Sequence, residues 1–131
     1  ILGGAAGVVV YLTLATVPPL PIVGVALFLA LFANGSVTLA FTVAKERHAP
    51  GVSGTATGVI NSLGYFGAAV FPAVMGAILD AYWTGETVGG APTYTVAGYR
   101  VAFLVGAGAA LLAMLVAVAL HYRVSRERPV V

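Results

Sequence analysis

Long apolar segments alternate with short polar ones along the chain, and the polar positions mark where each apolar segment ends. Residues 1 to 44 and 49 to 79 carry no charged side chain, and none lies between Arg100 and Arg123. A helix of about 20 residues crosses the roughly 30 Å hydrocarbon layer of a bilayer. Each of the three segments is long enough to do so. The pattern therefore predicts membrane spans.

The first segment is interrupted by "VPPLP" at residues 17 to 21, where prolines remove backbone donors and restrain the residues before them. We expect a turn there, and hence two spans in this segment. Lipid offers no partner to an unpaired amide, so each span should be helical. The predicted fold class is an all-α membrane protein, one segment over residues 1 to 131 with four transmembrane helices at about 1 to 17, 21 to 44, 54 to 79 and 99 to 121.

Composition supports a lipid environment. Hydrophobic residues make up 60% of the chain and charged residues 8%, with a mean hydropathy of +1.04. Water-soluble domains carry roughly 25% charged residues, and these segments have too few polar residues to coat a water-facing side. The chain has no cysteine, so disulfides and thiolate metal sites are excluded. We expect neither a metal nor a cofactor.

The basic residues predict the orientation, because Lys and Arg near span ends stay on the cytoplasmic side. Lys45 and Arg47 lie between the second and third spans, and three more follow the fourth span: Arg123, Arg126 and Arg128. The loop of residues 80 to 98 lies on the other side. We expect an integral, multi-pass protein of the cell membrane with both termini in the cytoplasm.

The third span begins with small residues. Gly54 and Gly58 lie on one helix face, and the same face continues through Asn61 and Tyr65. Small residues let helix backbones approach closely in lipid. A proline inside the span should kink the helix toward a neighbour. We predict a helix-packing role for six residues of this span: Gly54, Gly58, Gly64, Gly67, Pro72 and Gly76.

The third span and the start of the fourth resemble a known family. "SGTATGVINSLGYFGAAVFPAVMGAILD", at residues 53 to 80, is similar to the eleventh span of major facilitator superfamily transporters. Tyr99, Arg100 and Phe103 match the aromatic-Arg-x-x-Phe pattern that often opens the twelfth span of that family. One departure is Ser53, where many relatives have Arg, so an ion pair at that position is not carried over.

The resemblance implies a secondary active transporter that moves a small solute by alternating access. The chain would be a C-terminal fragment, the ninth to twelfth of twelve spans, in the C-terminal six-helix half. Its partners would be the lipid bilayer, the remaining spans of the same transporter and a small-molecule substrate of unknown identity. The tenth and eleventh spans of the family face the central pathway. The candidates for lining it are Asn34, Thr38, Asn61 and Tyr65.

Each pathway candidate also has a simpler interpretation. Asn34 and Asn61 could make interhelical hydrogen bonds, which contribute about 0.6 kcal/mol and up to about 1.7 kcal/mol. Tyr65 could pack in the core, and the hydroxyl of Thr38 could bond back to its own helix. Polar groups in hydrocarbon must face protein or a watery cavity, which favours the pathway. Asn34 and Gly35 could also loosen the helix, as in transporters with discontinuous spans.

Several functions are excluded by what the spans lack. No charged residue lies inside them, so no proton relay is evident. Neither paired Asp nor a Ser with a nearby base occurs there, so we predict that the chain is not an enzyme. No nucleic-acid surface is present. The alternatives are a non-catalytic four-helix membrane assembly subunit and a small multidrug-exporter-like protein, although the latter needs a Glu in its first span.

Overall fold

The computed structural model describes residues 1 to 47 and 50 to 126, and the chain is mostly helical (82%). It divides into two compact units, one of Ile1–Ala33 with the chain from Tyr99 onward, the other of Asn34–Gly98. The expectation of a mainly helical chain is confirmed. The elements are α1 (Leu2–Ala15), α2 (Leu20–Asn34), α3 (Ser36–Arg47), α4 (Pro50–Ala81), β1 (Trp83–Val88), β2 (Ala91–Tyr94) and α5 (Val96–Arg126).

Small residues join α1 to α5 in the first unit. The seam has three contacts that run in opposite directions along the two helices: Gly4 with Met114, Gly7 with Ala110, and Tyr11 with Gly106. A Cβ atom at Gly4 would lie 2.9 Å from Met114 Cβ, and one at Gly106 would lie 2.7 Å from Tyr11 Cδ1. The helices are therefore antiparallel, and they approach each other as closely as glycine permits.

A small apolar core accompanies this seam. Val10, Leu14 and Ala26 are buried together, and three partly buried side chains pack against them: Val23, Ala30 and Phe103. Many other large apolar side chains of α1 and α2 stay exposed, including Leu2 at 86% and Leu20 at 82%. A helix that is apolar on all sides is normally covered by protein or lipid. The first unit therefore presents more apolar surface than its own core can cover.

The turn predicted at "VPPLP" is confirmed between α1 and α2. The amide of Thr16 donates to the carbonyl of Thr13 at 3.1 Å, and the amide of Val17 donates to Leu14 at 2.9 Å. Val17 has a φ of 53°, in the left-handed region that a β-branched residue rarely adopts. Helices commonly end on such a residue, usually glycine. The turn thus satisfies helix-end carbonyls while Val17 is strained.

The single helix expected over residues 21 to 44 is incorrect, because the structure has two helices there. α2 ends at Asn34, Gly35 forms a turn, and α3 begins at Ser36. The amide of Thr38 donates to the carbonyl of Gly35 at 3.2 Å, which closes the first turn of α3. Asn and Gly are weak helix formers, so the interruption falls where the backbone is least restrained.

In the second unit α3 packs against the long helix α4. α4 starts at Pro50, and proline is favoured in the first turn because its missing amide has no intrahelical partner there. The helix continues through Pro72 to Ala81, so it contains all of the predicted span of residues 54 to 79. The kink expected at the proline stays a prediction.

The connection predicted as a loop at residues 80 to 98 contains a β-hairpin, a correction to the all-α expectation. Strands β1 and β2 pair antiparallel, with Val88 opposite Ala91. Gly89 and Gly90 form the two-residue turn between them, with φ values of 61° and 82°. Positive φ at both positions is the requirement of a type I′ turn, which matches the twist of paired strands.

Side-chain hydrogen bonds tie the hairpin together and to the end of α4. The indole nitrogen of Trp83 and the hydroxyl of Thr93 both donate to the backbone carbonyl of Glu86, at 2.9 Å and 3.1 Å. The hydroxyl of Tyr94 donates to Oδ1 of Asp80 at 2.9 Å. An isolated two-stranded hairpin is marginally stable in water. These bonds supply the extra support.

Replacing Gly89 with Val should loosen the hairpin, because a β-branched residue in the left-handed region costs about 1 to 2 kcal/mol. That free energy corresponds to roughly 5- to 30-fold faster amide hydrogen exchange in the two strands. Gly89→Asn is the matched control, since Asn tolerates this conformation. Equal exchange rates in the two variants, measured in the intact protein, would contradict the turn geometry.

Candidate functional site

Among the described residues, two helices have the length and composition of membrane spans. They cover Gly51–Ala81, with 31 residues, and Val96–Arg123, with 28 residues. At 1.5 Å per residue these helices are about 46 Å and 42 Å long, more than the roughly 30 Å hydrocarbon layer. α1 and α2 are also apolar but shorter, at 14 and 15 residues. Membrane insertion is thus indicated by two helices, α4 and α5.

Burial distinguishes α4 and α5 from core helices of a soluble protein. None of the apolar window of α4 is buried within the chain, and only 17% of that of α5 is. The core helix of a soluble protein would be mostly buried, because water drives apolar side chains inward. None of the described polar or charged side chains is buried. The apolar faces of both helices are therefore open to whatever surrounds the chain.

Gly54 and Gly58 lie on one side of α4, the small-residue face, and this face is open within the described chain. Apart from its own stretch of helix, a Cβ atom at each of five glycines of α4 would meet nothing within 4 Å: Gly54, Gly58, Gly64, Gly67 and Gly76. No described residue of another element packs against these glycines. The packing role predicted for them and for Pro72 therefore stays a prediction, and its partner would lie outside the described residues. The face offers close approach to another helix.

An open groove runs along the neighbouring face of α4. Its described lining is mainly apolar, with two hydroxyl groups: Thr55, Gly58, Val59, Ser62, Leu63 and Phe66. Only Gly58 belongs both to this groove and to the small-residue face. Asn61 and Tyr65 are outside it. The hydroxyls of Thr55 and Ser62 are the side-chain polar groups of this described lining.

The four pathway candidates lie in the second unit, and the structure does not enclose them. Asn34 is the last residue of α2, Thr38 lies on α3, and Asn61 and Tyr65 lie on α4. All four are exposed, Tyr65 at 70%. Asn61 and Tyr65 share a face at a spacing of four residues. The structure brings those two together and leaves their role in a pathway a prediction.

Threonine hydroxyls on these helices bond to their own backbone. Thr42 donates to the carbonyl of Thr38 at 3.2 Å, and Thr57 donates to the carbonyl of Ser53 at 2.8 Å. A hydroxyl that bonds to a carbonyl of its own helix needs no ligand as a partner. Within the part of the chain that the structure describes, no three His, Cys, Asp or Glu side chains group as a metal site would require.

The basic residues lie at helix ends. Lys45 is exposed near the end of α3, and Arg47 is its last residue. Arg123 and Arg126 are exposed in the last turn of α5, where cations interact favourably with the helix dipole. Arg128 and His48 lie outside the described residues. The orientation derived from these charges stays a prediction.

Sequence reasoning missed the glycines that make close contacts. Gly4, Gly7 and Gly106 pack between α1 and α5, and a Cβ atom at Gly98 would lie 2.9 Å from the Cβ of Tyr82. The four-residue spacing of Gly106 and Ala110 is a small-xxx-small signal that could have identified this seam. Gly98 lies just after the hairpin and carries no such spacing.

No family model, no curated protein and no solved structure matches this chain. Function is therefore inferred from the residues and their geometry. The features that bear on it are two exposed apolar helices, a break at Asn34–Gly35, and polar residues on an otherwise apolar face of α4.

Proposed function

We propose that the chain is part of a secondary active membrane transporter that moves a small solute by alternating access. The observation that carries this proposal is the interruption at Gly35, within an uncharged apolar run that ends at Ala44. Discontinuous helices near the middle of a membrane are a recurring way to build a transport site. The resemblance of residues 53 to 80 to major facilitator transporters supports the same function.

The interruption matters because of the backbone groups that it frees. A helix end leaves carbonyls, and a helix start leaves amides, without partners inside the helix, and here the amide of Thr38 donates to the carbonyl of Gly35. Lipid cannot satisfy them, so irregular backbone at membrane depth must face protein or a water-filled cavity. Asn34 and Thr38 flank the interruption and add polar side chains. This combination favours a polar path beside α2 and α3.

The proposed topology follows from the same elements. α4 and α5 cross the membrane, the hairpin joins them on the outer side, and Lys45 lies in the cytoplasm. The apolar stretch of residues 21 to 44 makes a third crossing, interrupted at Gly35. α1 extends over about 21 Å, so its crossing requires local thinning of the bilayer or cover from neighbouring helices. Both termini are then cytoplasmic, as the basic residues predict.

A non-catalytic membrane assembly subunit is the second candidate. The observation that favours it is the open small-residue face of α4, where a Cβ atom at Gly54 or Gly58 would meet nothing within 4 Å outside its own stretch of helix. Such a face suits tight association with another helix. The two candidates differ at Asn61 and Tyr65, which would face water in a transporter and protein in an assembly subunit.

Cysteine accessibility tests the pathway. The chain has no cysteine, so each introduced thiol is the only one present. Four single-cysteine variants of the 131-residue chain in vesicles would be treated with a water-soluble maleimide from each side: Asn34→Cys, Thr38→Cys, Asn61→Cys and Tyr65→Cys. The thiolate is the reactive form and is favoured in water, so we expect these sites to react about tenfold or more faster than a lipid-facing site.

Leu63→Cys is the matched control, because it lies on α4 close to Asn61 but on the opposite face. It should stay unreactive with the water-soluble reagent. If all four pathway variants are as slow as Leu63→Cys from both sides, the transport proposal is wrong. A disulfide between the Gly58→Cys thiols of two copies of the chain, formed under an added two-electron oxidant, would then favour the assembly subunit.

A further inference from the structure

The hairpin carries three aromatic residues at its base, where it joins the helices. Tyr82 directly follows α4, Trp83 opens β1, and Tyr94 closes β2, just before α5 begins. Trp83 and Tyr94 are register partners across the two strands. Side chains of directly opposed residues lie on the same face of a hairpin. The base therefore presents a paired aromatic face next to the ends of two apolar helices.

Two of the three rings are exposed, and two have their polar groups already bonded. Tyr82 is 42% exposed and Trp83 is 45% exposed. The indole nitrogen of Trp83 donates to the Glu86 carbonyl, and the hydroxyl of Tyr94 donates to Asp80. Because these two donors are satisfied, the rings of Trp83 and Tyr94 can enter a water-poor layer without leaving a hydrogen bond unmade.

The charges locate the base relative to a membrane. Asp80 is the first charged residue after the uncharged run of residues 49 to 79, so it marks where α4 leaves hydrocarbon. Tyr94 is bonded to that carboxylate, and Trp83 lies within three residues of it. The hairpin tip at Val88 to Ala91 lies at the other end of the strands.

We propose that the aromatic base of the hairpin, formed by Tyr82, Trp83 and Tyr94, binds the headgroup layer of the bilayer and fixes the depth of α4 and α5. Trp and Tyr concentrate at this layer because their rings combine apolar area with a polar edge. The inference rests on the proposed membrane insertion of α4 and α5. It adds a specific lipid-contact surface and places the tip of the hairpin in water.

Trp83 is the only tryptophan in the chain, so its fluorescence tests the proposal without a substitution. The 131-residue chain would be reconstituted in phosphatidylcholine vesicles brominated either near the carbonyl end of the acyl chains or near the terminal methyl. Bromine quenches only nearby indoles. We expect the shallow bromines to quench Trp83 about twofold or more strongly than the deep ones, as for a ring at the interface.

Two relocations of the indole, both in a Trp83→Phe background, serve as controls. Leu112→Trp places it within the apolar stretch of α5, where deep bromines should quench most. Val88→Trp places it at the hairpin tip, where aqueous iodide should quench it and lipid bromines should not.

The outcomes separate this inference from the proposed function. Loss of lipid quenching at Trp83 alone, or stronger quenching there by deep bromines, overturns the aromatic anchor and leaves membrane insertion intact. Loss of lipid quenching at Leu112→Trp as well overturns membrane insertion and the anchor together. Equal lipid quenching at Trp83 and Val88→Trp also overturns the assignment of the contact to the base.

Discussion

Replacing Leu112 with Arg is expected to shift the insertion equilibrium of α5 by about a hundredfold toward the uninserted state. An arginine at the centre of a membrane helix costs about 2.5 to 3.5 kcal/mol on insertion scales, and 1.4 kcal/mol is roughly a factor of ten. Leu112 is 64% exposed and lies well inside the apolar window of α5. Acceptor sites for glycosylation on either side of α5, in the full chain, would measure the inserted fraction.

One control variant changes the same position without adding a charge, and the other adds the same charge at a different position. Leu112→Phe changes shape without adding charge and should insert as the parent does. Tyr122→Arg adds the same charge next to Arg123, at the end of the window, and should have little effect. If Leu112→Arg inserts as completely as these two controls, α5 is not held by hydrocarbon and the membrane interpretation is wrong.

Gly106→Leu is expected to destabilise the seam between α1 and α5 by about 1 to 3 kcal/mol, the usual cost of overpacking. Even a Cβ atom at this position would lie 2.7 Å from Tyr11 Cδ1 and 2.8 Å from Cε1. The helices must then separate or the tyrosine ring must leave the seam. The free energy of unfolding of the full chain in mixed detergent micelles would report the loss.

The same helix offers a close control two residues further on. A Cβ atom at Gly108 meets nothing within 4 Å, so Gly108→Leu adds a good helix former without a clash and should not destabilise the chain. Adding Tyr11→Ala to Gly106→Leu should recover part of the loss, because the opposing ring is gone. Equal stability of the two leucine variants would mean that the α1–α5 seam is incorrect.

The helices could be predicted because long uncharged apolar runs are typical of helices that cross a bilayer. Uncharged runs predicted four apolar segments, and "VPPLP" predicted the turn that follows Ala15. Asn34 and Gly35 predicted a weak point in the second segment, but a continuous span over residues 21 to 44 was still expected. Hydropathy does not distinguish an unbroken apolar helix from two that meet at a glycine, since both are equally apolar.

The sequence of the hairpin contains a turn signal that is missed when residues are sorted only by hydropathy. Gly89 and Gly90 form the dipeptide of a two-residue turn, and the flanking residues are rich in Thr, Val and Tyr. When these residues are treated only as the polar connection between two spans, they predict a loop. The hydrogen bonds to Asp80 and Glu86 depend on the folded backbone and could not be derived from residue spacing.

Which faces of the helices meet was harder to predict than which helices exist. In water, the apolar side of a helix identifies its buried face. In lipid, both protein-facing and lipid-facing sides are apolar, so the choice depends on small residues and close packing. Gly54 and Gly58 on α4 gave the stronger sequence signal, yet the contacts within the described chain are made by Gly4 and Gly106.

The two helices of the α1–α5 seam are synthesised at different times, because about 80 residues separate them in the chain. At about 5 to 20 residues per second, α5 follows α1 by an interval on the order of ten seconds. During translation, α1 cannot form its native contacts with Gly106 and Met114, whatever its own helical tendency. The high contact order of this unit makes its assembly a late event in biogenesis.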